Sequence, residues 1–179
     1  MKKLVLILLL FISIFSFSDE SFTASEKNAL LKQFTEFQKA VKNKDITSMK
    51  RFLDDSVYGI AYINEDSYPY EAPVGYSEIT KNKAEFLEIV EDMPTLKVDL
   101  KNNTVKEYKN GYLTVSAEFY TWENDSSIFP AWLNDIYKPG EKIFEIYAYN
   151  DDPEYPSFSR YIFKVKENKL KFSSVTGGP

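Results

Sequence analysis

Residues 104–122 read TVKEYKNGYLTVSAEFYTW. Two runs rich in β-formers, Thr104 to Lys109 and Tyr112 to Trp122, flank Asn110-Gly111. Asn-Gly between such runs predicts a hairpin, because a type I′ turn needs positive φ at both central positions. In the second run Leu113, Val115, Ala117 and Phe119 make one face, with Tyr112, Glu118, Tyr120 and Trp122 on the other. The apolar face is expected to pack on helices, and the opposite face to meet solvent or a second copy in a homodimer. Aromatic rings with a polar tip suit a binding surface. Core and edge packing accounts for them equally well.

Further strands are expected on both sides of this hairpin. Leu96, Val98 and Leu100 alternate with Lys97, Asp99 and Lys101; Ile143 to Asn150 and Arg160 to Lys166 are β-rich; Lys169 to Val175 follows a tight Glu167-Asn168 turn. Val57 to Ile63 reads as the first strand. Upstream of it, Leu30, Phe34, Phe37 and Val41 recur at helical steps within Ser25 to Lys44, with Ser25 as the N-cap. Asp45 caps a shorter helix with Met49, Phe52 and Leu53 on its buried stripe. A third helix starts at Thr80, carries Phe86, Leu87, Val90 and Met93 on one face, and ends before Pro94. Asn64 to Ser77, with Pro69, Pro73 and Gly75, is a long loop. The predicted fold is α+β: three N-terminal helices on a curved antiparallel sheet of about five or six strands. A short helical insertion is expected near residues 129–138, where Phe129, Trp132, Leu133, Ile136 and Tyr137 sit at helical spacing before Pro139-Gly140.

The first twenty residues predict export. Lys2 and Lys3 precede an apolar run from Leu4 to Phe15, and Ser16-Phe17-Ser18 offers a cleavage point. The run is shorter than the roughly 20 residues a membrane span needs, so cleavage and release are the default, with a retained anchor as the alternative. Residues 1–18 are thus read as a signal peptide and 19–179 as one domain. Without Lys2 and Lys3 the basic residues fall from 22 to 20 against 27 acidic ones, a charge of −7. Such a surface argues against nucleic acid and anionic membrane and favours a neutral or cationic partner.

There is no cysteine and no histidine. That removes a disulfide framework, lipoprotein processing, Ser-His-Asp and Cys-His catalysis, thiol redox chemistry and the usual zinc ligands. Asp, Glu, Tyr and Lys are the acids and bases that remain. Asp151, Asp152 and Glu154, or Glu65 and Asp66, are all-oxygen groups without the spacing of a calcium loop, so solvated acidic turns are the expectation and no metal or cofactor is called for.

In its order of elements the chain resembles the nuclear-transport-factor-2-like superfamily, which includes ketosteroid isomerases and polyketide cyclases. The likeness runs from about Ser25 to Val175 and rests on FQKAVKNKD at 37–45, MKRFLDDSV at 49–57 and KVKENKL at 164–170. It implies a strongly curved sheet wrapped as a cone around the helices, with an apolar cavity open at one end. Steroid-isomerising relatives use an Asp base with a Tyr and a protonated Asp; Tyr58, Tyr62 and Asp99 are of the right type, but alternation turns Asp99 to solvent. The expected ligand-binding residues are Tyr58, Tyr62, Trp122, Phe129, Trp132 and Tyr147. The 129–137 segment either closes the cavity mouth, with Trp132 on its contents, or covers a sheet edge.

Three functions are compatible with these residues. The first is an exported module that binds a small apolar or amphipathic molecule or a protein, without turnover. The second is a histidine-independent isomerase, cyclase or hydrolase built on a buried carboxylate and a tyrosine. The third is an acidic inhibitor or immunity-like protein.

Overall fold

The structure, a computed structural model, describes residues 22–59, 73–101, 104–106, 108–123 and 133–178. The proposed signal peptide, and the candidates Tyr62, Phe129 and Trp132, lie outside these residues.

Helix α1 spans Ala24–Lys42 and buries Leu30, Phe34, Phe37, Ala40 and Val41, the expected stripe. Its cap is Thr23 rather than Ser25. The Thr23 hydroxyl accepts from the Glu26 amide while the Glu26 carboxylate accepts from the Thr23 amide at 2.7 Å, so two otherwise unpaired donors are satisfied at once. Lys142 joins the same carboxylate at 2.9 Å. The Thr23 amide first, then Lys142, hold the Glu26 carboxyl down at about 2 from its ordinary 4.5. A depressed carboxyl stabilises the fold above its unfolded value, and that contribution is lost as pH falls from 4.5 towards 2. Glu26→Gln keeps the cap but not the charge. Its melting temperature is expected to lie below wild type at pH 7 and to converge with it near pH 2, read by thermal unfolding across that range.

Asp45 caps α2 (Ile46–Met49) by accepting from the Ser48 amide, as expected, and a single 3₁₀ turn at Lys50–Phe52 leads into β1 (Leu53–Tyr58). Leu53 therefore opens the first strand instead of closing a helix, and the strand begins four residues before its expected start. Its apolar side chain fits either period, and the tight turn decides between them. The expected third helix is two, α3 (Tyr76–Lys81) and α4 (Lys83–Ile89), broken at Asn82, whose φ of −111° and ψ of 49° are not helical.

Strands β4 (Tyr108–Asn110), β5 (Leu113–Thr121), β6 (Lys142–Asn150), β7 (Ser157–Lys166) and β8 (Lys169–Gly178) join β1 in a six-stranded sheet, order β1-β8-β7-β6-β5-β4. A separate two-stranded ribbon pairs β2 (Asp99–Lys101) with β3 (Thr104–Lys106). The large sheet is mixed, not antiparallel as expected. β5 to β8 pair with their neighbours antiparallel, β7 and β8 through a two-residue turn and β5 and β6 across the insertion, whereas β1 reaches the edge beside β8 from the helices and runs parallel to it. The Asn110-Gly111 hairpin is present one residue along: Asn110 pairs with Leu113, and Gly111 alone has positive φ, at 62°, the type II′ pattern. At the closing hairpin Glu167 and Asn168 both have positive φ, as a type I′ turn requires. Gln33 of α1 clamps that turn, donating to the Asn168 carbonyl and accepting from the Leu170 amide, each at 2.9 Å.

The register defines two faces. Phe119, Phe144, Phe163 and Phe172 point to the helices and meet Phe34 and Phe37 of α1, with ring centroids 4.5–5.8 Å apart. The region between α1 and β5–β8, where the resemblance places a cavity, holds this ring cluster. The part of the insertion that is described, α5 (Leu133–Ile136) with Tyr137, packs on the other face. There Leu133, Tyr137, Trp122, Ile143 and Ile162 form a second, smaller core.

Candidate functional site: the outer sheet face

Cross-strand pairing arranges the outer side chains in rows. Tyr120 lies opposite Ile143 and Lys164; Glu118 opposite Glu145, Ile162 and Ser174; Ser116 opposite Tyr147, Arg160 and Thr176; Thr114 opposite Tyr149 and Phe158. The first of these rows lies beneath Tyr137 and α5. The last two are half-buried or exposed throughout.

Beneath the covered end is a buried hydroxyl cluster. Pairing slips by one residue between Ile162–Ser174 and Phe163–Phe172, so β8 bulges at Ser173. The bulge brings the Ser173 and Ser174 hydroxyls to the Tyr137 phenol, 2.7 Å away for Ser174. Burial pushes that phenol's pKa up, against the pull of both serines. Lys164 holds the segment down by donating to the Ile136 carbonyl at 2.9 Å, pairing with Glu141 at 3.4 Å and lying over the Tyr137 ring. The Tyr137, Ser173 and Ser174 hydroxyls and the Lys164 ammonium anchor the cover.

Between the covered and open rows sits an ionic network. Glu145 is 8% exposed, its Oε2 accepts from the Tyr120 hydroxyl at 2.7 Å, and its Oε1 meets the Arg160 guanidinium at 2.7 Å. Burial raises the Glu145 carboxyl above its usual range, opposed by Arg160 and Tyr120 and assisted by Glu118 directly across the strand pair. Burial, then the neighbouring carboxylate, likewise raises the Tyr120 phenol.

This network is the floor of an aromatic patch. Arg160 lies 5.7 Å from the centre of the Tyr147 ring. Tyr147 is nearly parallel to Tyr149, at 4° and 6.3 Å, and 5.9 Å from Phe158. A side chain whose guanidinium is fixed by a buried carboxylate holds the ring beneath it in one place.

The sequence candidates are placed as follows. Tyr147 is at the centre of the patch. Trp122 is fully buried at the end of β5, 4.7 Å from the Tyr137 ring, with its amide bonded to the Glu141 carbonyl. Tyr58 is half-buried at the end of β1, opposite Ser174. Tyr147 thus lies on the open rows, and Trp122 lies under the cover. Asp99 is exposed, as alternation predicts. Glu145 and Arg160 were not singled out by sequence reasoning, although a glutamate between Phe144 and Ile146 in an otherwise apolar strand is a readable signal of a buried charge needing a partner.

Among the described residues no helix is long and apolar enough to cross a membrane, and no group of three or more acidic residues is arranged to hold a metal ion. Comparison with protein-family models, curated proteins and solved structures returned no match.

Proposed function

We propose that the chain is an exported binding module that holds a small amphipathic molecule or a protein partner without turnover, on the open rows of the outer sheet face. One observation carries this reading: Tyr147, Tyr149 and Phe158 form a stacked, partly exposed group held over the buried Glu145–Arg160 pair. Rigid aromatic side chains offer large contact area at little cost in conformational entropy, which is why they dominate recognition surfaces. The basic, apolar and small-residue order of residues 1–18 supports export. The helix-helix-strand-helix order followed by a run of strands supports kinship with the nuclear-transport-factor-2-like superfamily, including its curved sheet. A second copy of the chain is one occupant this face accommodates.

Native mass spectrometry of the exported protein tests the reading. Wild type should carry an added mass under mild conditions that disappears on denaturation. Tyr147→Ala/Tyr149→Ala should weaken retention by about ten-fold or more while leaving the fold intact. An added mass held equally by both proteins would exclude the outer face.

One observation favours an enzyme instead. Glu145 and Tyr120 are the buried carboxylate and tyrosine that a histidine-independent isomerase needs, and the carboxyl is raised by burial. Against it, both carboxylate oxygens are already engaged. Conversion of the retained compound on incubation, abolished in Glu145→Gln without loss of binding, would select this alternative.

A further inference from the structure

The strongly exposed large apolar side chains among the described residues are Tyr112 at 55%, Tyr149 at 37% and Tyr155 at 75%. All three belong to one end of the sheet. Tyr112 sits in the β4–β5 turn, and its carbonyl accepts from the Asp151 amide at 3.1 Å, which ties that turn to the β6–β7 connection. Tyr149 is two residues before Asp151 on β6. Tyr155 lies within the connection, its amide bonded to the Asp152 carbonyl at 3.1 Å and its carbonyl accepting from Asn150 at 3.3 Å.

The connection is braced from inside as well. The Asp152 amide donates to the Asn150 side chain at 3.2 Å, and the Asp152 carboxylate accepts from the Glu154 amide at 2.9 Å. Pro153 and Pro156 restrict the backbone further. The tip therefore presents its tyrosines from an ordered frame, and little further ordering is needed on binding.

Its charge has one dominant sign. Asp151 and Glu154 are exposed and Asp152 is half-exposed. On the cationic side, Lys109 is exposed on β4, and Arg160 is neutralised by Glu145. Acidic groups around exposed tyrosines are the complement of a basic chain: lysine or arginine heads meet the carboxylates, and the stems and guanidinium planes lie on the rings.

We infer that this tip, continuous with the Tyr147 patch, docks a basic segment of a protein partner in which Lys or Arg alternates with apolar residues. The inference rests on the proposed outer-face recognition and names its partner class. Spread over two turns rather than enclosed, the surface suits a chain more than a small molecule, and its acidity repels nucleic acid.

The test uses the exported protein and three synthetic peptides of about twelve residues, alternating Leu with Arg, Ser or Glu. Affinity is read by fluorescence anisotropy and location by amide chemical shifts. The Arg-Leu peptide should bind at least about ten-fold tighter than the other two, weaken with added salt, and shift Tyr112, Asp151 and Tyr155. Asp151→Asn/Asp152→Asn/Glu154→Gln retains the acceptors that brace the connection and should lose most of that preference. Tyr112→Ala/Tyr155→Ala should cost about ten-fold in affinity with unchanged melting temperature. Equal binding of the three peptides, or shifts confined elsewhere, would overturn the inference. If the mass retained by the exported protein still depends on Tyr147 and Tyr149 in that case, the outer-face reading survives and only the basic partner is lost; if neither signal appears, both fail.

Discussion

Arg160→Ala is expected to lower stability by about 3 kcal/mol, far above the 1 kcal/mol or less typical of a surface ion pair. The side chains of Arg160 and Glu145 are only 18% and 10% exposed, so the variant leaves a carboxylate out of water without its paired cation, with the Tyr120 hydroxyl still donating to it. Glu145→Ala should cost a similar amount, because it removes the carboxylate paired with the largely buried guanidinium over Tyr147. Replacing the two together, as Glu145→Leu/Arg160→Met, removes both charges and keeps the volume, and should recover most of the loss. Urea denaturation of the four proteins compares the two broken pairs with the apolar replacement. Single variants within about 1 kcal/mol of wild type would mean that water reaches the pair, and the patch would lose its rigid floor.

Phe163→Ala should cost about 3–5 kcal/mol by the same measurement. The residue is fully buried, and its ring centroid lies 5.2 Å from Phe172 and 5.8 Å from each of Phe34, Phe37 and Phe144. Two neighbours come from the helix and two from the sheet, so no single element can close the void left behind. The size of the effect also separates two pictures of the layer between α1 and the sheet. A loss below about 2 kcal/mol would indicate a loosely filled space that relaxes around the deletion, as the cavity of the resembled superfamily would allow. A loss in the full range fits the ring cluster and leaves recognition to the outer face.

What could be read in advance follows from how local each signal is. The α1 stripe was legible because Leu30, Phe34, Phe37 and Val41 repeat at the period of one helix, and the Glu167-Asn168 turn because two polar residues, one of them the αL-tolerant Asn, separate two β-rich runs. The alternation from Tyr112 to Trp122 separated the two faces of β5, but it did not show that the Tyr120–Trp122 end of the second face, expected to meet solvent or a second copy, is buried under α5 and Tyr137. Less local features were lost. Leu53 fits helix and strand patterns alike, and the direction of β1 depends on where the chain enters the sheet. The Glu145–Arg160 pair joins strands whose register is a property of the folded sheet: Arg160 is opposite Tyr147, and Glu145 reaches it on the diagonal. A bulge at Ser173, which shifts hydroxyls under Tyr137, leaves no mark in periodicity. Tyr147 was named as a candidate from its residue type; the stack with Tyr149 and Phe158 that gives it a setting came only with the fold.

The central claim, that the open rows of the outer sheet face are the recognition surface, is tested most directly by placing a photo-cross-linking phenylalanine analogue at position 149 in exported protein. A second protein carries it at exposed Lys32 on α1. Irradiation before purification should give one discrete adduct from position 149, abolished by an added Tyr147→Ala substitution and absent from position 32. The same adducts from both positions, or adducts that survive Tyr147→Ala unchanged, would contradict the account.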